Sequence, residues 1–228
     1  MLSSQYDVVS FSVMLAMLSL VPLMVVTTTS FLKISLVLLV LRNAIGVQQV
    51  PPTLAIYGIA LALSVFIMAP TVQEIGKRAM SQEVSTNSAG NAGNAGNART
   101  MPLLAKAQDA FEPLRTFMLK FSRPEQRELF LASAKKLWPK DAARDAHSSD
   151  ALILIPAFVV SELQSGYEIG FLIYIPFVVI DLLISNLLMA LGMQQVSPQT
   201  ITIPLKLLLF TLVSGWGKLL NALAMSYI

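Results

Sequence analysis

Charged side chains stand inside otherwise apolar runs, among them Lys33, Glu162, Glu168 and Asp181. A charge in such surroundings is costly unless an opposite charge or a hydrogen-bonding group faces it. Catalytic chemistry is poorly served by this set. The single histidine, His147, falls in a polar stretch, so no Ser–His pair and no zinc-binding His cluster can form among the apolar segments. Cysteine is absent, which removes disulfides, thiol catalysis and Cys-ligated metals. An intramembrane aspartyl protease needs two facing Asp, but the apolar blocks hold Asp181 and the terminal Asp7 alone. No Gly-x-x-x-x-Gly-Lys-[Ser/Thr] loop is present, so the chain itself does not hydrolyse nucleotide. No cofactor is expected. Ion pairing remains: Glu162 and Glu168, on either side of a Gly-bearing pause, are expected to meet charges of neighbouring subunits or to lie at an interface. Lys33 and Asp181 are expected to pair within an assembly, unless Lys33 snorkels to a surface.

The elements that must position these groups are apolar and long. They occupy residues 11–41, 54–72, 152–191 and 201–223, the third pausing at 161–168. A straight helix over 11–41 would measure about 46 Å against a hydrocarbon thickness of about 30 Å. Pro22 and the Thr27-Thr28-Thr29-Ser30 run are expected to kink or break it. Two near-identical turns sit at the tips: Gly46-Val47-Gln48-Gln49-Val50-Pro51-Pro52 and Gly192-Met193-Gln194-Gln195-Val196-Ser197-Pro198. A Gly ends a helix readily and a Pro bars its simple continuation, so each tip reads as the turn of a helical hairpin. The expected fold is all-α: membrane-associated helical hairpins at 1–75 and 151–228, with a small helical polar insert at 76–150.

Composition agrees with that class. Hydrophobic residues make up 55% and charged residues 13%, about half the charged share of an average soluble domain. Of 16 Lys and Arg, 12 lie between Lys77 and Arg144, and 8 of 13 acidic residues lie between Glu83 and Asp150, leaving 9 charges for the apolar blocks. The net charge of +3 is mixed in sign and gives no nucleic-acid footprint. Arg42 favours a cytoplasmic first tip, which puts termini and insert outside. The first ten residues carry no Lys or Arg, so no cleaved signal peptide is read there. In the insert, 88–98 is an Ala-Gly-Asn run that reads as a mobile linker. Residues 102–140 read as amphipathic helix, with Phe111, Leu114, Met118 and Phe121 on one stripe and Leu129, Phe130, Leu137 and Trp138 on a less regular one. A small cap packing on its own apolar faces is the expected form.

At Arg42-Asn43-Ala44-Ile45-Gly46-Val47-Gln48-Gln49-Val50-Pro51-Pro52 the chain resembles the R subunit of the type III secretion export apparatus, the SctR/FliP family. The resemblance continues at Pro156-Ala157-Phe158-Val159-Val160-Ser161-Glu162-Leu163, Gly166-Tyr167-Glu168-Ile169-Gly170, Ile175-Pro176-Phe177 and Asp181-Leu182-Leu183-Ile184-Ser185-Asn186. Ala190-Leu191-Gly192-Met193, Thr29-Ser30-Phe31-Leu32-Lys33-Ile34 and Gly215-Trp216 also fit. Both apolar blocks are covered; the insert has no clear match. The resemblance implies a non-enzymatic part of a protein-export gate in the bacterial inner membrane. It implies a homo-pentamer joined by S-type and T-type subunits, passing unfolded secreted proteins and driven by an associated ATPase and the proton-motive force. It further implies hairpins held by neighbouring subunits and lifted towards the periplasmic side.

Flagellar members carry a signal sequence and a Met-rich stretch after the matching Ala-Leu-Gly. Here Met193 is followed by Gln194 and Gln195, which points to an injectisome. By resemblance, Met193, Gln194 and Gln195 line a pore seal, against the plain reading of a helix-ending turn. Gln48 and Gln49, with Arg42 beside them, stand as contacts to partner subunits or as solvated turn residues. Trp216 between glycines reads as a packing or interface anchor. A small-molecule or ion transporter is the competing class, since paired hairpins with broken helices and buried charges suit transporters too. A scaffold without pore contact is a third.

Overall fold

A computed structural model describes residues 2–47, 51–87, 100–193 and 195–228. The linker at 88–98, Gln48, Gln49 and Gln194 therefore lie outside the described residues. Every regular element described is an α-helix: α1 (Leu2–Thr28), α2 (Phe31–Ile45), α3 (Thr53–Asn87), α4 (Thr100–Phe121), α5 (Pro124–Leu137), α6 (Lys140–Arg144), α7 (Ala151–Ala190), α8 (Gln199–Leu212) and α9 (Gly215–Met225). The all-α expectation holds. Two helices are long and apolar enough to cross a membrane, α7 and the Thr53–Arg78 part of α3. The bent pairs α1–α2 and α8–α9 raise that number to four if each is one span.

The first apolar run breaks at its hydroxyl cluster, while α1 continues through Pro22. The two helices meet at 68°. Thr27, Thr28 and Thr29 turn their hydroxyls back to the carbonyls of Leu23, Met24 and Val25, and side chains that bond i−4 carbonyls bend helices. Ser30 and Ser64 then bond at 3.0 Å across the corner, fixing it against α3. The α8–α9 corner of 63° turns on Ser214, which takes φ +54°. Gly215 is required beside it, because a Cβ there would lie 2.3 Å from the Phe210 ring.

The third apolar run does not pause. α7 is one helix of 40 residues, about 60 Å long and twice the hydrocarbon thickness. Gly166, inside the expected pause, and Gly170 just after it are there for close approach. A Cβ on Gly166 would come within 2.9 Å of Leu36 Cδ2, and one on Gly170 within 3.1 Å of Val40 Cγ1. The Gly-x-x-x-Gly face therefore seats the ridge of α2 directly on the α7 backbone, as small residues do between membrane helices. The expectation failed because glycine lowers helix propensity by only about 1 kcal/mol, which burial of a facing helix overrides.

α2 is the centre of the body. Ile34, Val37 and Leu38 are buried against Ile56 and Ala60 of α3 and Leu223 of α9. Leu41, Ala44 and Ile45 pack with Phe177 and Phe210. The insert is not a cap resting on its own faces. Phe117 and Met118 of α4 pack with Met68 of α3, Leu154 and Phe158 of α7, and Tyr227. Phe130 and Trp138 lie against Ala134, Ala146 and Ile153, while Leu129 and Leu137 of the same stripe are exposed. An isolated pair of short helices buries little, and the apolar start of α7 supplies the missing surface.

Candidate functional site

Two ionic knots tie the helices together. In the first, Lys33 Nζ of α2 lies 3.3 Å from Glu162 Oε1 of α7. The Tyr227 hydroxyl donates to Glu162 Oε2, and the Lys33 ammonium sits 3.8 Å from the centre of the Tyr227 ring. Glu162 is 1% exposed and Lys33 4%. The carboxylate thus receives an ammonium and a phenol from two other segments, and the ammonium gains the negative face of an aromatic ring. One turn position earlier, Ser161 Oγ accepts the N–H of Arg123 at 2.9 Å and donates to the Ala157 carbonyl at 2.7 Å. Residues 161 and 162 therefore anchor α2, the α4–α5 junction and the segment after α9 to one turn of α7.

The second knot lies near the tips. Lys206 Nζ of α8 is 2.6 Å from Asp181 Oδ2 of α7 and 3.0 Å from the Ala44 carbonyl in the last turn of α2. A cation at a helix C-terminus meets both an orphan carbonyl and the negative end of the helix dipole. Lys206 is buried, whereas the Asp181 side chain is 45% exposed and lines a cleft of about 510 Å³ with Asn43, Tyr174, Ser185 and Gln199.

The expected partners are re-sorted by these contacts. Lys33 and Asp181 do not meet; each finds another group within the chain, Glu162 and Lys206 respectively. Hairpin packing decides this, since α2 lies along the part of α7 that carries Glu162. Glu168 pairs with Arg123 of the insert at 2.6 Å on the surface. Arg42 donates from Nη1 to Thr53 Oγ1 at 2.9 Å, joining the ends of α2 and α3 below the first tip. Tyr227, Lys206 and Arg123 were missed. Lys206 was available to the rule that flagged Lys33, a charge inside an apolar run; Tyr227 carries no such signal.

At both tips the glycine ends its helix as expected. Gly46 has φ +89° and Gly192 φ +72°. At the second tip the Met193 N–H reaches the Leu188 carbonyl at 2.9 Å and the Gly192 N–H the Met189 carbonyl at 3.0 Å. That is the Schellman closure, which requires the left-handed residue at 192. It leaves Met193 projecting, 44% exposed, with Gln195 also exposed. Trp216 packs edge-on against Phe210 at 5.4 Å, and His147 is exposed in its loop.

Beyond geometry, the profile of the FliP family matches residues 14–223, from the first helix through α9. The chain belongs to the FliP family. It is 50% identical over 213 residues to the harpin secretion protein HrpW of Pseudomonas syringae pv. syringae, covering 93% of this chain and 97% of that one. It is 44% identical over 226 residues to the harpin secretion protein HrcR of Erwinia amylovora, covering 99% of each. The Yop proteins translocation protein R of Yersinia pestis is 42% identical over 221 residues, 97% of each chain. These relatives place the chain on the injectisome side of the family, as the Met193-Gln194-Gln195 tip suggested. The family match also spans the helices of the insert, where no motif was legible.

Proposed function

We propose that this chain is a core, non-enzymatic subunit of the type III protein export gate of an injectisome in the bacterial inner membrane. Several copies, a pentamer by family likeness, assemble with S-type and T-type partners around a passage for unfolded secreted proteins. The family match over 14–223, with relatives named for harpin secretion and Yop translocation, carries this reading. The structure adds a physical reason for assembly. Its charges inside the body are internally paired, yet Leu54, Phe66, Phe171, Leu172, Leu183 and Leu212 are exposed. Such a surface needs lipid or sister subunits.

In this reading Met193 and the glutamines beside it form a seal. Met193 projects from a backbone closed by hydrogen bonds, so a flexible thioether stands on a rigid tip. The transporter alternative calls for charged groups that can exchange partners with cargo, whereas Lys33, Glu162 and Lys206 are all buried and engaged. The test uses the absence of native cysteine. Met193→Cys, placed in the assembled complex with a stalled export substrate, is expected to cross-link to the substrate, while Leu137→Cys in the insert is not. Absence of an adduct at 193 in complexes of normal abundance refutes pore contact.

A further inference from the structure

We propose that Lys218 of one copy of this chain docks on Asp181 of the next, its ammonium entering the polar cleft between the two tips. The inference rests on the assembly of several copies and names the contact that closes one copy onto another. Neither group is fully served within its own chain. Asp181 gives Oδ2 to Lys206 at 2.6 Å, and its other oxygen has no hydrogen bond among the described residues. The side chain stays 45% exposed, in a cleft where Asn43, Tyr174, Ser185 and Gln199 offer further oxygen acceptors. Lys218 is exposed on α9 and pairs with no carboxylate among the described residues.

The other described charges of the apolar helices are already engaged. Glu162 holds Lys33 and the Tyr227 hydroxyl, and Glu168 gives one oxygen to Arg123 and the other to Gln164. Glu74 pairs with Arg78 at the insert end of α3, and Arg42 is held by Thr53. An ammonium on an apolar face needs an acceptor once sister copies cover that face. A carboxylate with one oxygen free takes a second cation there. Position agrees with charge. Lys218 borders a groove with Ile180, the residue before Asp181, so both charges stand at nearly the same level along α7. They stand on different sides of it. Tyr174, Asp181 and Ser185 line one cleft, and Ile173, Phe177 and Ile180 line the other. At 3.6 residues per turn those two faces of α7 lie roughly 100° apart. A head-to-tail contact joins two unlike faces of one chain, so each added copy matches the charge left open by the last.

The lack of native cysteine makes the contact measurable. Ser185→Cys lies one turn beyond Asp181 in the cleft, and Asn221→Cys lies one turn beyond Lys218 at an exposed position of α9. Both leave the two charges in place. The single variants, carrying different tags, are produced together in the complete export complex and treated with a short bis-maleimide. A linked product bearing both tags is expected, with no linked dimer from either variant alone. Lys218→Glu, added to the Asn221→Cys chain, sets two carboxylates against each other. It is expected to lower the two-tag product about tenfold at equal abundance of folded chain, the lower end for close charge pairs across an interface. Lys218→Arg is expected to keep the product. The pairing is overturned by a multi-copy particle without two-tag product, by linkage of residue 221 to a different subunit, or by a product indifferent to Lys218→Glu; the export role then still stands. A particle holding one copy of the chain overturns both.

Discussion

Removing the ammonium from the first knot gives the sharpest test of how the body is held. In Lys33→Met the thioether side chain fills much the same space, but Glu162, 1% exposed, loses its counter-charge and keeps only the Tyr227 hydroxyl. Stripping one partner from a buried pair costs about 3–5 kcal/mol, because the other charge stays buried and uncompensated. For a chain of this size that corresponds to a fall in Tm of about 6–20 °C. Tyr227→Phe keeps the ring under Lys33 and removes one hydrogen bond to a charged group, about 1.5–3 kcal/mol. The double variant Lys33→Met with Glu162→Met replaces the pair by apolar volume and is expected to recover most of the loss, since such replacement is often neutral. The assay is thermal unfolding of detergent-solubilised full-length protein, the parent compared with the three variants. A Lys33→Met midpoint within about 2 °C of the parent, or a double variant no better than the single, would refute the assignment of this knot as a paired charge in a dry interior.

Three further outcomes follow from the same geometry. Lys206→Met is expected to cost less, about 1–2 kcal/mol, because Asp181 is 45% exposed and water takes over its solvation; unfolding in detergent measures it against Lys33→Met. Gly166→Val is expected to push α2 off α7 and destabilise by about 1–3 kcal/mol, with partial rescue by Leu36→Ala, since Leu36 Cδ2 is the atom met at 2.9 Å. Gly192→Ala places a Cβ on a left-handed residue with open space around it, so the cost is backbone strain of about 1–2 kcal/mol, and Gly192→Asn is expected to cost less; the same unfolding assay ranks the two.

What the chain wrote into its own order was local. Apolar runs longer than a bilayer, hydroxyl clusters, and Gly followed by Pro at each tip fix where helices run and where they turn, because those signals act within one or two turns of backbone. Family membership was legible for the same reason: motifs such as Pro156-Ala157-Phe158 and Gly192-Met193 are contiguous strings. Charges inside apolar runs announced that pairing was needed.

The choice of partner belonged to the tertiary structure. Lys33 meets Glu162, 129 positions away, because Gly166 and Gly170 admit α2 to the backbone of α7, and that contact sets which carboxylate faces which ammonium. Gly166 looked like part of a helix break, since the cost of glycine is local and visible while the benefit of close packing lies on another helix. Tyr227 and the insert follow the same rule. Neither the phenol on Glu162 nor the seat of Phe117 and Met118 on α7 leaves a trace in spacing, because burial is a property of pairs of surfaces and becomes defined only when both are present.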